Sequence, residues 1–147
     1  MPSFIAGNKE AVERAGALCK EAGAKRALPL AVRVPSHCAL MKPAADKLAI
    51  TLNDITFNTP KFAVINNVDV KVETSAEKIK TALIAQLYSP VRWTESVEEM
   101  AKQGGTLLVE MGPGKVLTGL TKRIVDSLSA CAVNDKASLD VAIENTK

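Results

Sequence analysis

An α/β fold with a mostly parallel sheet is the architecture this sequence predicts, and three observations predict it. Short apolar runs that read as strands alternate with stretches whose apolar residues recur at helical spacing. Prolines and glycines stand between them, where one element must stop and the next begin. The 147 residues, 47% hydrophobic and 24% charged, have the length and apolar content of one ordinary globular domain.

The elements follow in order. Phe4-Ile5-Ala6 reads as a short strand, and Asn8 is placed to cap a helix in which Val12, Ala15, Cys19 and Ala22 recur at helical spacing before Gly23 stops it. Ala27 to Val34 reads as a second strand, which Pro29 confines to a sheet edge or an irregular ladder. Together they make a βαβ unit. Pro35-Ser36-His37-Cys38 breaks the pattern, and Pro43 suits the first turn of a helix carrying Ala44, Leu48 and Leu52 inward. His37 therefore falls at a strand-to-helix junction.

Phe62 to Ile65 reads as an apolar strand ending at Asn66-Asn67. Val68, Val70 and Val72 then alternate with polar residues as in a half-buried strand. Thr74 and Glu77 have the spacing of a capping box for a helix through Ile79, Leu83 and Leu87, ended by Ser89-Pro90. A helix from about Thr94 to Gln103 stops at Gly104-Gly105, and Leu107-Leu108-Val109 follows as a strand. Gly112-Pro113-Gly114 turns the chain into a helix with Val116, Leu117, Leu120, Ile124 and Leu128 on one face, and Ala130 to Val133 reads as a last strand. No internal repeat or low-complexity linker occurs.

Composition excludes several classes of function. A formal charge of +3 is small, and aromatic residues at 3% leave little to stack on bases, so nucleic acid is not an expected partner. No apolar run approaches the roughly 18 residues needed to span a bilayer. The start, Met1-Pro2-Ser3-Phe4, lacks the basic and apolar regions of a secretion signal. The expected setting is cytoplasmic, with no membrane partner. Cys19, Cys38 and Cys131 are widely spaced, and one histidine cannot complete a zinc set with them, so free thiols and no metal are expected.

His37 is the only histidine, so any histidine-based proton transfer must use it. A lone histidine is more often structural than catalytic. Its place between two prolines, where α/β folds tend to build their sites, moves the balance toward chemistry. Cys38 beside it reads as a small buried residue, because side chains of adjacent residues usually diverge and Cys-His dyads are assembled from distant parts of a chain. No Gly-x-Ser-x-Gly elbow occurs, so the strained turn that presents a nucleophilic serine in hydrolase-like folds is missing. Gly112-Pro-Gly-Lys115 opens a helix where free amides could receive a phosphate, but its spacing is not that of a P-loop, and a tight strand-to-helix turn is the better reading. Lys115, Lys122 and Arg123 read most simply as a solvated face.

Four stretches stand out: Ile5 to Gly16, Val34-Pro-Ser-His-Cys-Ala-Leu-Met41, Gln86-Leu-Tyr-Ser-Pro-Val-Arg-Trp93, and Glu110-Met-Gly-Pro-Gly-Lys-Val-Leu-Thr-Gly-Leu120. Together they resemble the malonyl-CoA:acyl carrier protein transacylases of bacterial type II fatty acid synthesis. The resemblance covers nearly the whole chain and is to the C-terminal half of those enzymes. It implies a partial hydrolase-like, parallel-sheet acyltransferase core over residues 35–147. Residues 1–34 would be the second βαβ half of a ferredoxin-like small subdomain.

The resemblance further implies that malonyl passes from malonyl-CoA to the phosphopantetheine thiol of an acyl carrier protein by way of a serine, with a histidine as base and then acid. His37 matches that histidine, and Gln86 matches the residue whose backbone carbonyl orients the imidazole. Ser36 matches a position lining the acyl pocket. The nucleophilic serine and the malonate-binding arginine have no match here. No cofactor is implied beyond the two substrates, and the implied partners are an acyl carrier protein, a coenzyme A thioester and a missing N-terminal half.

The chain alone is accordingly expected to be nearly inactive, and, with strand edges and helix faces left uncovered, marginally stable or self-associating. The alternative is a catalytically inactive fragment or a carrier-protein-binding module, which carrier binding that survives His37→Ala but weakens steeply with salt would favour.

Overall fold

The computed structural model describes residues 3–146. Met1 and Pro2 of the starting stretch, and Lys147, lie outside the described residues. By internal contacts the chain divides into two compact units, one running to Val91 and one from Arg92 onward.

The first unit is helical. Helix α1 spans Lys9–Glu21 with Asn8 at its N-cap, as expected, though the Asn8 side chain makes no capping hydrogen bond. Gly23 ends it with φ near +94°, a left-handed conformation that favours glycine. The amides of Gly23 and Ala24 turn back to the carbonyls of Lys20 and Cys19, satisfying the last turn.

The strands expected on either side do not form. Phe4-Ile5-Ala6 and Ala27 to Val34 run without any ladder, so the βαβ unit expected here is absent. A strand is stable only beside another, and among the described residues no neighbour pairs with either segment. Val32 and Ser36 instead direct their amides to carbonyls two residues back, Leu30 and Val34. Leu28, Leu30, Val32 and Val34, which alternate along the chain, are all exposed.

Helix α2, Lys42–Asn53, follows a 3-10 turn at Ala39–Met41 and carries Pro43 in its first turn, as predicted. It turns Ala45 and Leu52 into the core, with Ala44 and Leu48 half-buried beside them. Opposite lies α3, Ala76–Ala85, whose buried residue is Ala82. Alanines on both helices let the backbones approach closely. The Lys80 ammonium lies 5.5 Å from the centre of the Phe57 ring.

Between α2 and α3, the expected pair of strands reduces to a single antiparallel bridge, Ile65 to Val72. A turn at Asn66–Lys71 replaces the rest. The Asn66 amide donates to the Lys71 carbonyl, the Asp69 carboxylate accepts from the Lys71 amide, and Val70 takes φ near +60°. Local side-chain bonding here outcompetes the alternating pattern of Val68, Val70 and Val72. The capping box expected of Thr74 and Glu77 does not form either: Ser75 is the N-cap and makes no side-chain bond. Helix α3 also stops at Ala85, short of the expected Ser89-Pro90. Beyond Gln86 the amides of Leu87 and Tyr88 reach back only three residues, to Ile84 and Ala85.

The second unit contains the sheet. Helix α4, Trp93–Lys102, ends at Gly104-Gly105 as predicted, with φ near +90° at Gly104. The two glycine amides bond back to Ala101 and Met100, and a Cβ at Gly105 would lie 2.8 Å from the Met100 carbonyl oxygen, so only glycine fits. Strand β1, Leu107–Met111, pairs in parallel with β2, Ser129–Val133, register running from Leu107 opposite Ser129 to Met111 opposite Val133. A parallel arrangement is what the alternation of elements predicts.

Between the strands α5 is shorter than expected, Val116–Thr121. The next amides, Arg123 and Ile124, bond only three residues back, and Leu128 reaches the core from a turn. Helix α6, Lys136–Glu144, was not anticipated. Asp135 caps it reciprocally with Ser138, carboxylate to amide at 2.8 Å and amide to hydroxyl at 3.1 Å. Val97, Leu128, Val133 and Ala142 form the core, and the buried hydroxyls of Ser96 and Thr121 bond the carbonyls of Arg92 and Leu117 one turn back. No helix among the described residues is long and apolar enough to cross a membrane.

Candidate functional site

His37 is the third residue of the turn between the unpaired segment ending at Val34 and the entry to α2. Its backbone is left-handed, with φ near +60°. That conformation is costly for any residue with a Cβ and usually marks a position the surroundings over-determine. The surroundings here are the end of α3. Carbonyls at and just beyond a helix end have no partner within it, and His37 takes two consecutive ones, at the C-cap Gln86 and at Leu87. Its amide donates to the Leu87 carbonyl at 3.0 Å, and its Nδ1 lies 2.8 Å from the Gln86 carbonyl oxygen.

A carbonyl oxygen only accepts, so Nδ1 carries the proton in that bond and the neutral ring leaves Nε2 as a free acceptor. The imidazole is exposed. The structure thus brings together two residues that lie far apart in sequence, and it does so through the backbone of Gln86.

The other residues singled out by sequence are dispersed. Ser36 is exposed beside His37. The Cys38 thiol turns back to donate to the Pro35 carbonyl at 3.1 Å, so it is occupied as a donor, and it is half-buried. Cys19 is exposed and Cys131, on β2, is half-buried; all three thiols are free. Among the described residues no group of three His, Cys, Asp or Glu is gathered to hold a metal.

Past the Gly112-Pro-Gly-Lys115 turn, amides at the start of α5 are taken by a carboxylate of the chain itself. Glu110, at the end of β1, reaches over the turn, and its carboxylate accepts from the Thr118 hydroxyl at 2.7 Å and from the amides of Thr118 and Leu117 at 2.8 and 3.2 Å. The strand thereby supplies the anion that the start of α5 attracts. The Thr118 hydroxyl first, and the backbone amides after it, hold the Glu110 carboxyl below the usual carboxylate range. No local capping pattern in the sequence marks this role, because Glu110 and Thr118 are eight residues apart across the turn. Lys115, Lys122 and Arg123 are exposed, as read from the sequence.

Two residues to which the sequence assigns no role of their own lie beside the His37 bonds. Lys42, at the first position of α2, places its ammonium 5.3 Å from the centre of the Tyr88 ring and pairs with Asp46 one turn along.

No protein-family model matches the chain. Individual proteins do. The malonyl CoA-acyl carrier protein transacylase of Haemophilus influenzae is 69% identical over 140 residues, a match covering 95% of this chain and 45% of that protein. Among solved structures, a malonyl-transacylase in complex with its holo type II PKS acyl-carrier protein shares 70% identity at a TM-score of 0.92, over 95% of this chain and 45% of that one. An acyl carrier protein S-malonyltransferase from Vibrio cholerae shares 72% identity at a TM-score of 0.89, over 92% and 44%. The chain spans somewhat under half the length of the relatives it matches. In sequence and in fold, nearly the whole chain is similar to a little under half of these malonyl CoA-acyl carrier protein transacylases.

Proposed function

We propose that this chain supplies the general base of a malonyl-CoA:acyl carrier protein transacylase whose nucleophilic serine lies outside it. The observation that carries this reading is the bond from His37 Nδ1 to the Gln86 carbonyl, which leaves Nε2 free to take a proton. A carbonyl in this place orients the ring without adding a charge.

In the first half-reaction, Nε2 accepts the serine hydroxyl proton as the oxygen attacks the malonyl thioester, then gives it to the departing coenzyme A sulfur. In the second, Nε2 takes the proton of the phosphopantetheine thiol as that sulfur attacks the malonyl ester, then returns it to the serine oxygen. Ser36 lines the acyl pocket beside the ring. The reading calls for no metal or prosthetic group, only malonyl-CoA and a phosphopantetheinylated carrier protein, and places the reaction in the cytoplasm. On it, residues 35–147 are part of a hydrolase-like core and residues 1–34 the remaining half of a ferredoxin-like subdomain.

The test is malonyl transfer from coenzyme A to a holo carrier protein. The chain alone should give background transfer. Mixed with an N-terminal half carrying a Gly-His-Ser-x-Gly elbow, it should transfer malonyl. His37→Ala should lower that rate by about 10²- to 10⁴-fold, the usual contribution of a positioned acid-base group, and Cys38→Ala should leave it nearly unchanged. Transfer by the chain alone that Cys38→Ala abolishes would mean a thiol nucleophile and would sink the proposal.

A further inference from the structure

The Gln86 and Leu87 carbonyls that meet His37 lie just past the regular part of α3. The amides following them make only long bonds, 3.3 Å each, to carbonyls three residues back. The helix ladder alone therefore leaves their direction loosely set. A third contact joins the same two segments. Tyr88 immediately follows the two carbonyls, and its ring faces the Lys42 ammonium at 5.3 Å, within the range at which an aromatic face attracts a cation.

Lys42 occupies a position that helix electrostatics oppose, because a cation at the first residue of a helix meets the positive end of its dipole. What it gains there is Asp46 on one side and the Tyr88 ring on the other. The Asp46 carboxylate, chiefly through its hydrogen bond, holds the Lys42 ammonium in its charged form.

We propose that Lys42 and Tyr88 are positioning residues for His37. The ammonium seated on the ring sets the spacing between the entry of α2 and the segment after α3, which keeps the Gln86 oxygen on Nδ1 and leaves Nε2 the free acceptor. The catalytic value of this contact rests on the reading of His37 as a base. The contact itself is read from the tautomer of the ring.

The chain has one histidine, so labelling it with ¹⁵N-histidine gives a single imidazole whose protonated nitrogen is identified by long-range ¹H–¹⁵N spectra. In mildly alkaline buffer, where imidazoles are neutral, the full chain should show the Nδ1–H tautomer. Tyr88→Phe keeps the ring face and should match it. Tyr88→Ala and Lys42→Met should each shift the ratio toward Nε2–H by about two- to fivefold, the size of a partly exposed cation–π contact. Backbone amide spectra identify any variant that has lost its fold, and Lys42→Met, at an exposed site, provides the reading if Tyr88→Ala does not fold.

An unchanged tautomer in folded Lys42→Met overturns the proposal. So does a Tyr88→Phe shift equal to that of Tyr88→Ala, which would assign the effect to the hydroxyl. Malonyl transfer by the reassembled enzyme that is indifferent to His37→Ala would remove the base reading and leave the tautomer result standing.

Discussion

His37 is held in a conformation its own residue type disfavours. A left-handed backbone costs a non-glycine residue about 1–2 kcal/mol, and an accessible hydrogen bond returns about 0.5–1.5 kcal/mol net. The two bonds to Leu87 and Gln86 are together of the size needed to offset the strain. Because the Gln86 contact is made by the backbone, its side chain is dispensable to the site. Gln86→Ala should leave the rate of malonyl transfer by the reassembled enzyme within a few-fold of wild type. A loss approaching that of His37→Ala would show that the amide side chain, and not the carbonyl, serves the ring.

Elements in the second unit are tied at their starts by carboxylates. Glu110 caps α5, Asp135 caps α6, and Arg92 grips Glu95 in the first turn of α4. Hydrogen bonds from Thr118, Ser138 and Arg92 respectively hold these three carboxyls below their ordinary range. A depressed folded-state value means that the stabilisation is complete above the unfolded carboxylate range, about pH 4, and is lost as pH falls through the folded value. Unfolding midpoints followed by the fluorescence of Trp93, the only tryptophan, should stay level near neutrality and fall below about pH 4. In Glu110→Gln that acid slope should be shallower; an identical slope would mean the cap contributes nothing. In the first unit the α2–α3 pairing depends on a thin core, so Leu52→Ala, which empties its largest buried side chain, should cost about 2–4 kcal/mol, measured by denaturant unfolding followed by circular dichroism.

Across the whole molecule the buried residues are few and mostly small, while large apolar side chains stand in solvent, with Phe62 at 83%, Leu28 at 72% and Ile50 at 70% exposure. Exposed apolar surface on this scale favours association, and a net charge of only +3 opposes it weakly. Sedimentation velocity should show mass rising with concentration, and addition of an N-terminal half should reverse it; a monomer at every concentration would contradict this. Local sequence sets where α1 and α4 end, because Gly23 and Gly104 meet local backbone requirements. It likewise determined β1, β2 and the turn between Met111 and Val116, whose patterns are short-range. Motif resemblance alone linked His37 to Gln86, 49 residues apart. Tertiary structure decided the rest. The segments at 4–6 and 27–34 have strand-like patterns and no ladder, since a strand exists only when a neighbour accepts its hydrogen bonds. Whether the imidazole meets a carbonyl, and whether Lys42 meets Tyr88, depends on how α2 and α3 pack, which no local pattern encodes.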